Sequence, residues 1–185
     1  VNRIVLASNS PRRKELLEQA NVNFIIDSKT IEEVFDQTLP LQEQMQQVAY
    51  QKAKALENDY PNDFIIGADT MILYNNLIKI GKPKDRADAK KTLSLLSNTV
   101  HQVLTGVTIL YCGKKKSFCE STTITFKELT EQNIEEYLNS NEWMDKAGSY
   151  AIQGIAKEFV LSIDGDLNNV IGLPVSKLLA TIREF

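Results

Sequence analysis

Three cations and two hydroxyls crowd one short segment, Ser8-Asn9-Ser10-Pro11-Arg12-Arg13-Lys14-Glu15. Ser10 is a good helix N-cap and Pro11 suits the first helical position, so Arg12, Arg13 and Lys14 fall in a first turn. The helix dipole disfavours positive charge there by about 0.3–1 kcal/mol per residue, a cost that an external anion would offset. Backbone N–H groups, the Ser8 and Ser10 hydroxyls and two guanidinium groups converging after a strand are the parts of a phosphate site. The plain alternative is a solvated basic helix start. The glycine-rich Walker and Rossmann fingerprints are absent from the sequence.

A helix predicted from Leu41 to about Glu57 puts Leu41, Met45, Val48, Ala49 and Leu56 on one stripe, and helical spacing places Lys52 near its centre. A lysine there either snorkels to an edge or enters a cleft to meet an anion. Asp69 lies within the run Phe64 to Leu73, which is apolar enough to be a strand buried on both faces. An unpaired carboxylate is costly in such a run, so it asks for a partner. The candidates are Lys52, Lys82 and a divalent cation shared with Glu32 or Glu33. A purely structural ion pair at Asp69, with Glu32 and Glu33 as solvated carboxylates, is the plainer alternative. Two carboxylates plus phosphate oxygens suit Mg²⁺, a hard cation bound through few protein ligands.

Two carboxy-terminal stretches, Met144 to Gly154 and Ile163 to Pro174, read as loops by composition. Gln153, between an apolar pair and a glycine, can offer both a donor and an acceptor to a nucleobase edge, though a loop glutamine is also ordinary surface. Asp164-Gly165 suits a tight turn.

These residues need elements to hold them, and the pattern alternates strands with helices. Strands are predicted at Ile4 to Ala7, Asn23 to Ile26, Phe64 to Tyr74, Leu77 to Ile80 and Phe159 to Ile163. Val100 to Tyr111 and Ser117 to Phe126 read as a hairpin turning through Gly113 and three lysines. Helices are predicted from Pro11 to about Ala20, from Leu41, from Asp85 to about Leu96, from a Thr130 cap to about Asn139, and from Pro174 to Arg183. The fold class is α/β, and the hairpins make its sheet mixed.

Composition bounds the rest. With 185 residues and 43% of them apolar, the chain matches one globular domain spanning 1–185 that buries its core without staples. Lys and Arg number 21 against 24 for Asp and Glu, a net charge of −3, which argues against a nucleic-acid binder. No apolar run approaches a membrane span and no leader pattern opens the chain, so a cytoplasmic protein is expected. Cys112 and Cys119 make neither a metal cluster nor a disulfide framework and are expected to be reduced. The single histidine, His101, leaves a nucleophilic triad without a convincing base and excludes a His-rich zinc site; it is expected to be a surface or strand residue.

Taken in order, Leu6-Ala7-Ser8-Asn9-Ser10-Pro11-Arg12-Arg13-Lys14-Glu15-Leu16-Leu17, Gln51-Lys52-Ala53-Lys54-Ala55, Gly67-Ala68-Asp69-Thr70, Gly81-Lys82-Pro83, Asp145 to Gly154 and Asn169-Val170-Ile171-Gly172-Leu173-Pro174 closely resemble the Maf family of nucleoside triphosphate pyrophosphatases. The opening block is the specific one. The resemblance implies an elongated two-lobed fold, with a twisted mixed sheet flanked by helices and a cleft between lobes, similar to inosine triphosphate pyrophosphatases. It also implies hydrolysis of dTTP or UTP, with CTP or modified pyrimidine nucleotides as further candidates, to the monophosphate and pyrophosphate.

By the same resemblance, Asp69 accepts a proton, and Ser8, Arg13, Glu33, Lys52 and Lys82 surround the triphosphate and a divalent metal, Mg²⁺ or Mn²⁺. Ser10 joins them through the opening motif, and Glu33 and Asp69 are the metal ligands. Arg12, Thr70 and Gln153 match the positions that mark the dTTP- and UTP-active branch. Water is the expected nucleophile, with Arg13, Lys52 and Lys82 steadying the phosphates and the leaving pyrophosphate. Whether Asp69 is the base or holds the metal stays open. The resemblance points towards a homodimer and carries two rival readings: a nucleotide-binding regulator of septum formation without turnover, and a 7-methyl-GTP pyrophosphatase.

Overall fold

Short runs of buried aliphatic residues make the central strands. In a computed structural model, which describes residues 2–185, Ile4–Leu6 forms β1 and pairs in parallel with β2 (Phe24–Ile26) on one side and β3 (Phe64–Tyr74) on the other. Parallel neighbours require crossovers, and the connecting helices supply them: α1 (Pro11–Gln19) links β1 to β2, and α2 (Leu41–Lys54) links β2 to β3. A turn at Asn75-Asn76 then folds β4 (Ile78–Ile80) antiparallel onto β3. Next come α3 (Arg86–Leu96), β5 (Val100–Tyr111) and β6 (Lys114–Phe126), then α4 (Glu131–Asn139), β7 (Val160–Asp164), α5 (Leu167–Ile171) and α6 (Val175–Ile182). The strand order is β2-β1-β3-β5-β6-β7, with β7 antiparallel to β6, so the fold is α/β with a mixed seven-stranded sheet.

The chain divides into two compact units. The first holds residues up to Asp69, Thr105–Glu120 and Gly172–Phe185. Its core packs Val5 and Ile65 of the strands, with Ala7 just past β1, against Ala53 of α2, Leu56 just beyond that helix and Leu110 of β5. The second holds Thr70–Leu104 and Ser121–Ile171. There α3 buries Ala89, Leu93 and Leu96 where it packs on α4, which buries Ile134, Tyr137 and Leu138. Helix starts follow capping chemistry. Asp85 accepts from the Asp88 N–H, and Thr130 forms a reciprocal capping box with Asn133.

Some expectations need correcting. The two stretches read as loops contain order: 3-10 turns at Ala147–Ser149 and Ile155–Phe159, and the five-residue α5. The hairpin turns through Cys112-Gly113 alone, both with positive φ (48° and 76°), and the three lysines belong to β6. That is the two-residue geometry whose twist matches the flanking strands. His101 is a strand residue but not a surface one: it is 1% exposed, with Nε2 2.6 Å from the Tyr150 hydroxyl. Cys112 and Cys119 are free thiols, and burial pushes the Cys119 thiol up to about 11.

Candidate active site

The α1 start is built as its sequence requires. Ser10 caps the helix by accepting from the Arg13 N–H at 3.4 Å, and Pro11 takes the first helical position. Ser8, buried two residues past β1, turns its Oγ back to accept from the Ser10 N–H and from Arg13 Nη1, both at 3.2 Å. Arg13 Nε donates to the Gly172 carbonyl at 2.7 Å. Gly172 has φ of 142°, a conformation that a side chain would strain, so this carbonyl is aimed by a backbone that favours glycine. Two anchors thus fix the half-buried guanidinium while leaving it charged.

Burial pulls the Arg13 pKa down from its ordinary value; Asp69 pushes it up, Arg12 lowers it and Glu33 raises it. These four residues therefore share one electrostatic neighbourhood within the first unit.

Lys52 reaches the same neighbourhood because α2 lies unusually close to β3. A Cβ placed at Gly67 would sit 1.9 Å from the Ala49 carbonyl oxygen, and one at Gly106 would sit 2.4 Å from the Met45 carbonyl. Two glycines in the sheet therefore seat one turn of helix each. The next turn after Ala49 brings Lys52 to Asp69, two residues beyond Gly67 and so on the same strand face. Lys52 Nζ donates to Asp69 Oδ1 at 2.9 Å and to the Ala68 carbonyl at 3.4 Å, and lies 3.2 Å from Glu33 Oε1. The Lys52 and Asp69 side chains are 20% and 16% exposed. Of the partners left open for Asp69, its direct one here is Lys52.

Ser8, Ser10, Arg12, Arg13, Glu33, Lys52 and Asp69 belong to the first unit, where Arg12, Arg13, Glu33, Lys52 and Asp69 form one charge cluster. Thr70, Lys82 and Gln153 belong to the second. Thr70 follows Asp69 directly along β3. Lys82 pairs with Asp145 at 2.9 Å, and both side chains are largely exposed. Gln153 is exposed in a turn. Sequence reasoning did not assign a role to the Gly172 carbonyl or to Gly67. The glycines themselves were visible, but their partners lie far along the chain.

Among the described residues, no group of three or more His, Cys, Asp or Glu side chains gathers to hold a metal unaided. What the site offers is two carboxylates, Glu33 and Asp69, converging on one cation position now filled by the Lys52 ammonium. Such a donor set fits a hard divalent cation that completes its shell with phosphate oxygens and water.

Residues 3–185 match the family of Maf-like proteins. The chain belongs to the Maf family. Among the relatives of this Maf protein, one from Geobacillus sp. (strain WCH70), named dTTP/UTP pyrophosphatase, is 46% identical over 184 residues, covering 100% of this chain and 97% of the relative. A Bacillus anthracis protein of the same name is 44% identical over 185 residues, covering 100% and 96%. Two solved structures share the Maf chain's fold. The Staphylococcus aureus Ham1 protein has a TM-score of 0.58 at 15% identity and covers 99% of each chain. A HAM1 protein from Coxiella burnetii has a TM-score of 0.60 at 11% identity and covers 100% of each.

Proposed function

We propose that this chain hydrolyses dTTP and UTP between the α and β phosphates, releasing the nucleoside monophosphate and pyrophosphate in the cytoplasm. The observation that carries the reading is the cluster itself: Lys52 bridging Asp69 and Glu33 beside an anchored Arg13, in a Maf chain whose relatives bear that activity's name. A helix start loaded with cations is stabilised by a polyphosphate, and the nearby carboxylates serve the chemistry.

In the proposed reaction Arg13, held at both Ser8 and Gly172, presents a fixed guanidinium face to phosphate oxygens. Because it is already positioned, little reorganisation is needed as charge develops on the leaving pyrophosphate. Lys52 orients Asp69, and Asp69 accepts the proton of the attacking water. Lys82 adds positive charge from its exposed loop. Glu33 and Asp69 would hold a divalent cation, Mg²⁺ or Mn²⁺. When bound, that ion supplies charge neutralisation on the phosphates and acidifies bound water. Arg12, Thr70 and Gln153 select the pyrimidine base.

The test is pyrophosphate release from dTTP, UTP, CTP, ATP and 7-methyl-GTP, with Mg²⁺ or Mn²⁺. Turnover should favour dTTP and UTP, and Asp69→Asn should lower it by at least about a hundredfold while dTTP binding persists. Selective binding without any pyrophosphate release would replace the reaction with a sensing role. Preference for 7-methyl-GTP would overturn the assigned base.

A further inference from the structure

Gln153 stands in a tight turn, in which the Gly154 N–H donates to the Ala151 carbonyl at 3.1 Å, with Ile152 buried and Gln153 exposed. Both flanks of this turn are gripped. Ahead of it, the Ala151 N–H donates to the Tyr137 hydroxyl at 3.3 Å. Behind it, the Ile155 and Ala156 N–H groups donate to the two carboxylate oxygens of Glu142, at 3.0 and 3.4 Å. Burial first, and then the Glu142 carboxylate, push the Tyr137 phenol up from its ordinary value, so the two grips adjoin. Tyr137 is 1% exposed on α4, a rigid base for such a clamp.

The glycine after Gln153 completes the arrangement. A Cβ at Gly154 would fall 1.5 Å from Glu142 Oε1, so the carboxylate occupies the space that a side chain would take. Capping of the 3-10 turn Ile155–Phe159 explains the Glu142 contacts alone. It does not explain why Tyr137, whose phenol feels that same carboxylate, also holds Ala151, on the other side of Gln153.

We propose that Glu142, acting with Tyr137, is a positioning residue that fixes the Gln153 turn and thereby sets base preference without touching the substrate. The proposal rests on the reading of Gln153 as the base-selecting residue. A loose turn would still carry the glutamine but would hold its amide in no single orientation, and hydrogen-bond discrimination depends on that orientation.

The experiment compares kcat/KM for dTTP and CTP, and equilibrium binding of their uncleavable α,β-methylene analogues. The proteins are wild type, Glu142→Gln, Gly154→Ala, Gln153→Ala and the double variant Glu142→Gln/Gln153→Ala. Gly154→Ala displaces the carboxylate without altering it, and so stands in should Glu142→Gln fold poorly. Each of these two should lower the dTTP to CTP ratio by about tenfold, and the double variant should lose no more preference than Gln153→Ala alone. Equal losses for both nucleotides, or losses that multiply in the double variant, would overturn the assignment and leave Glu142 a helix cap. A wild type that binds dTTP selectively but releases no pyrophosphate would sink the proposed reaction, leaving the Glu142 assignment to be decided on the binding ratios. A wild type with no base preference in either measurement would sink both.

Discussion

Lys52 and Lys82 carry the same charge but sit in different physical situations, and that difference is measurable. Lys52 serves two carboxylates in a partly buried setting, where an uncompensated charge is costly; Lys82 pairs with Asp145 in water-exposed surroundings, where an ion pair contributes little. Lys52→Met keeps the apolar stem and removes the ammonium, so it should destabilise the fold by about 1–3 kcal/mol as well as cripple turnover. Lys82→Met should change unfolding free energy by no more than about 0.5 kcal/mol, so any loss of turnover in that variant is chemical. Denaturant unfolding alongside kinetics separates the two. A Lys52→Met protein as stable as wild type would mean that Asp69 draws its compensation from elsewhere, with Arg13, which feels the Asp69 charge, the candidate.

At the scale of elements, the site depends on how closely α2 can approach the sheet. Gly67→Ala would drive a methyl group into the Ala49 backbone, which cannot swing aside as a side-chain tip can. The helix must shift, and overpacking of this kind costs about 1–3 kcal/mol. The shift should also lengthen the Lys52 to Asp69 contact. Gly67→Ala is therefore expected to lose turnover out of proportion to its stability loss, which paired melting and kinetic measurements check. This contact also marks the limit of what the sequence could reveal. Helical periodicity alone put Lys52 on the apolar stripe of α2, and the long aliphatic run alone marked β3 and its odd carboxylate. Which cation met Asp69 was a tertiary question, decided by a helix seated on two glycines separated by 39 positions in the chain. Likewise, the Gly172 anchor for Arg13 spans 159 positions, beyond any local pattern. The short α5 escaped because five residues after Asp164-Gly165-Asp166 carry too little periodicity to outweigh that turn signal.

For the whole molecule, acid tolerance turns on one buried base. His101 is the only histidine, and its Nδ1 has no hydrogen-bond partner among the described residues, while Nε2 meets Tyr150 and the ring lies edge-on to Phe126. Burial pushes the Tyr150 phenol up, so it stays neutral and offers no charge to an imidazolium. The same burial lowers the His101 pKa from 6.5 to about 4. Between these values the unfolded chain binds a proton that the folded chain refuses, so stability must rise with pH across that window. The contribution is complete above about pH 6.5 and falls away as pH drops towards 4, amounting to on the order of 3 kcal/mol in full. In urea unfolding, the stability gap between wild type and His101→Gln should therefore shrink by about 2 kcal/mol between pH 7.5 and pH 5, because only the wild type pays for the refused proton. Carboxylates titrate in both proteins and cancel in the comparison. A gap that stays constant across that range would mean that His101 takes up its proton inside the folded chain, and the neutral pairing with Tyr150 would then have to be abandoned.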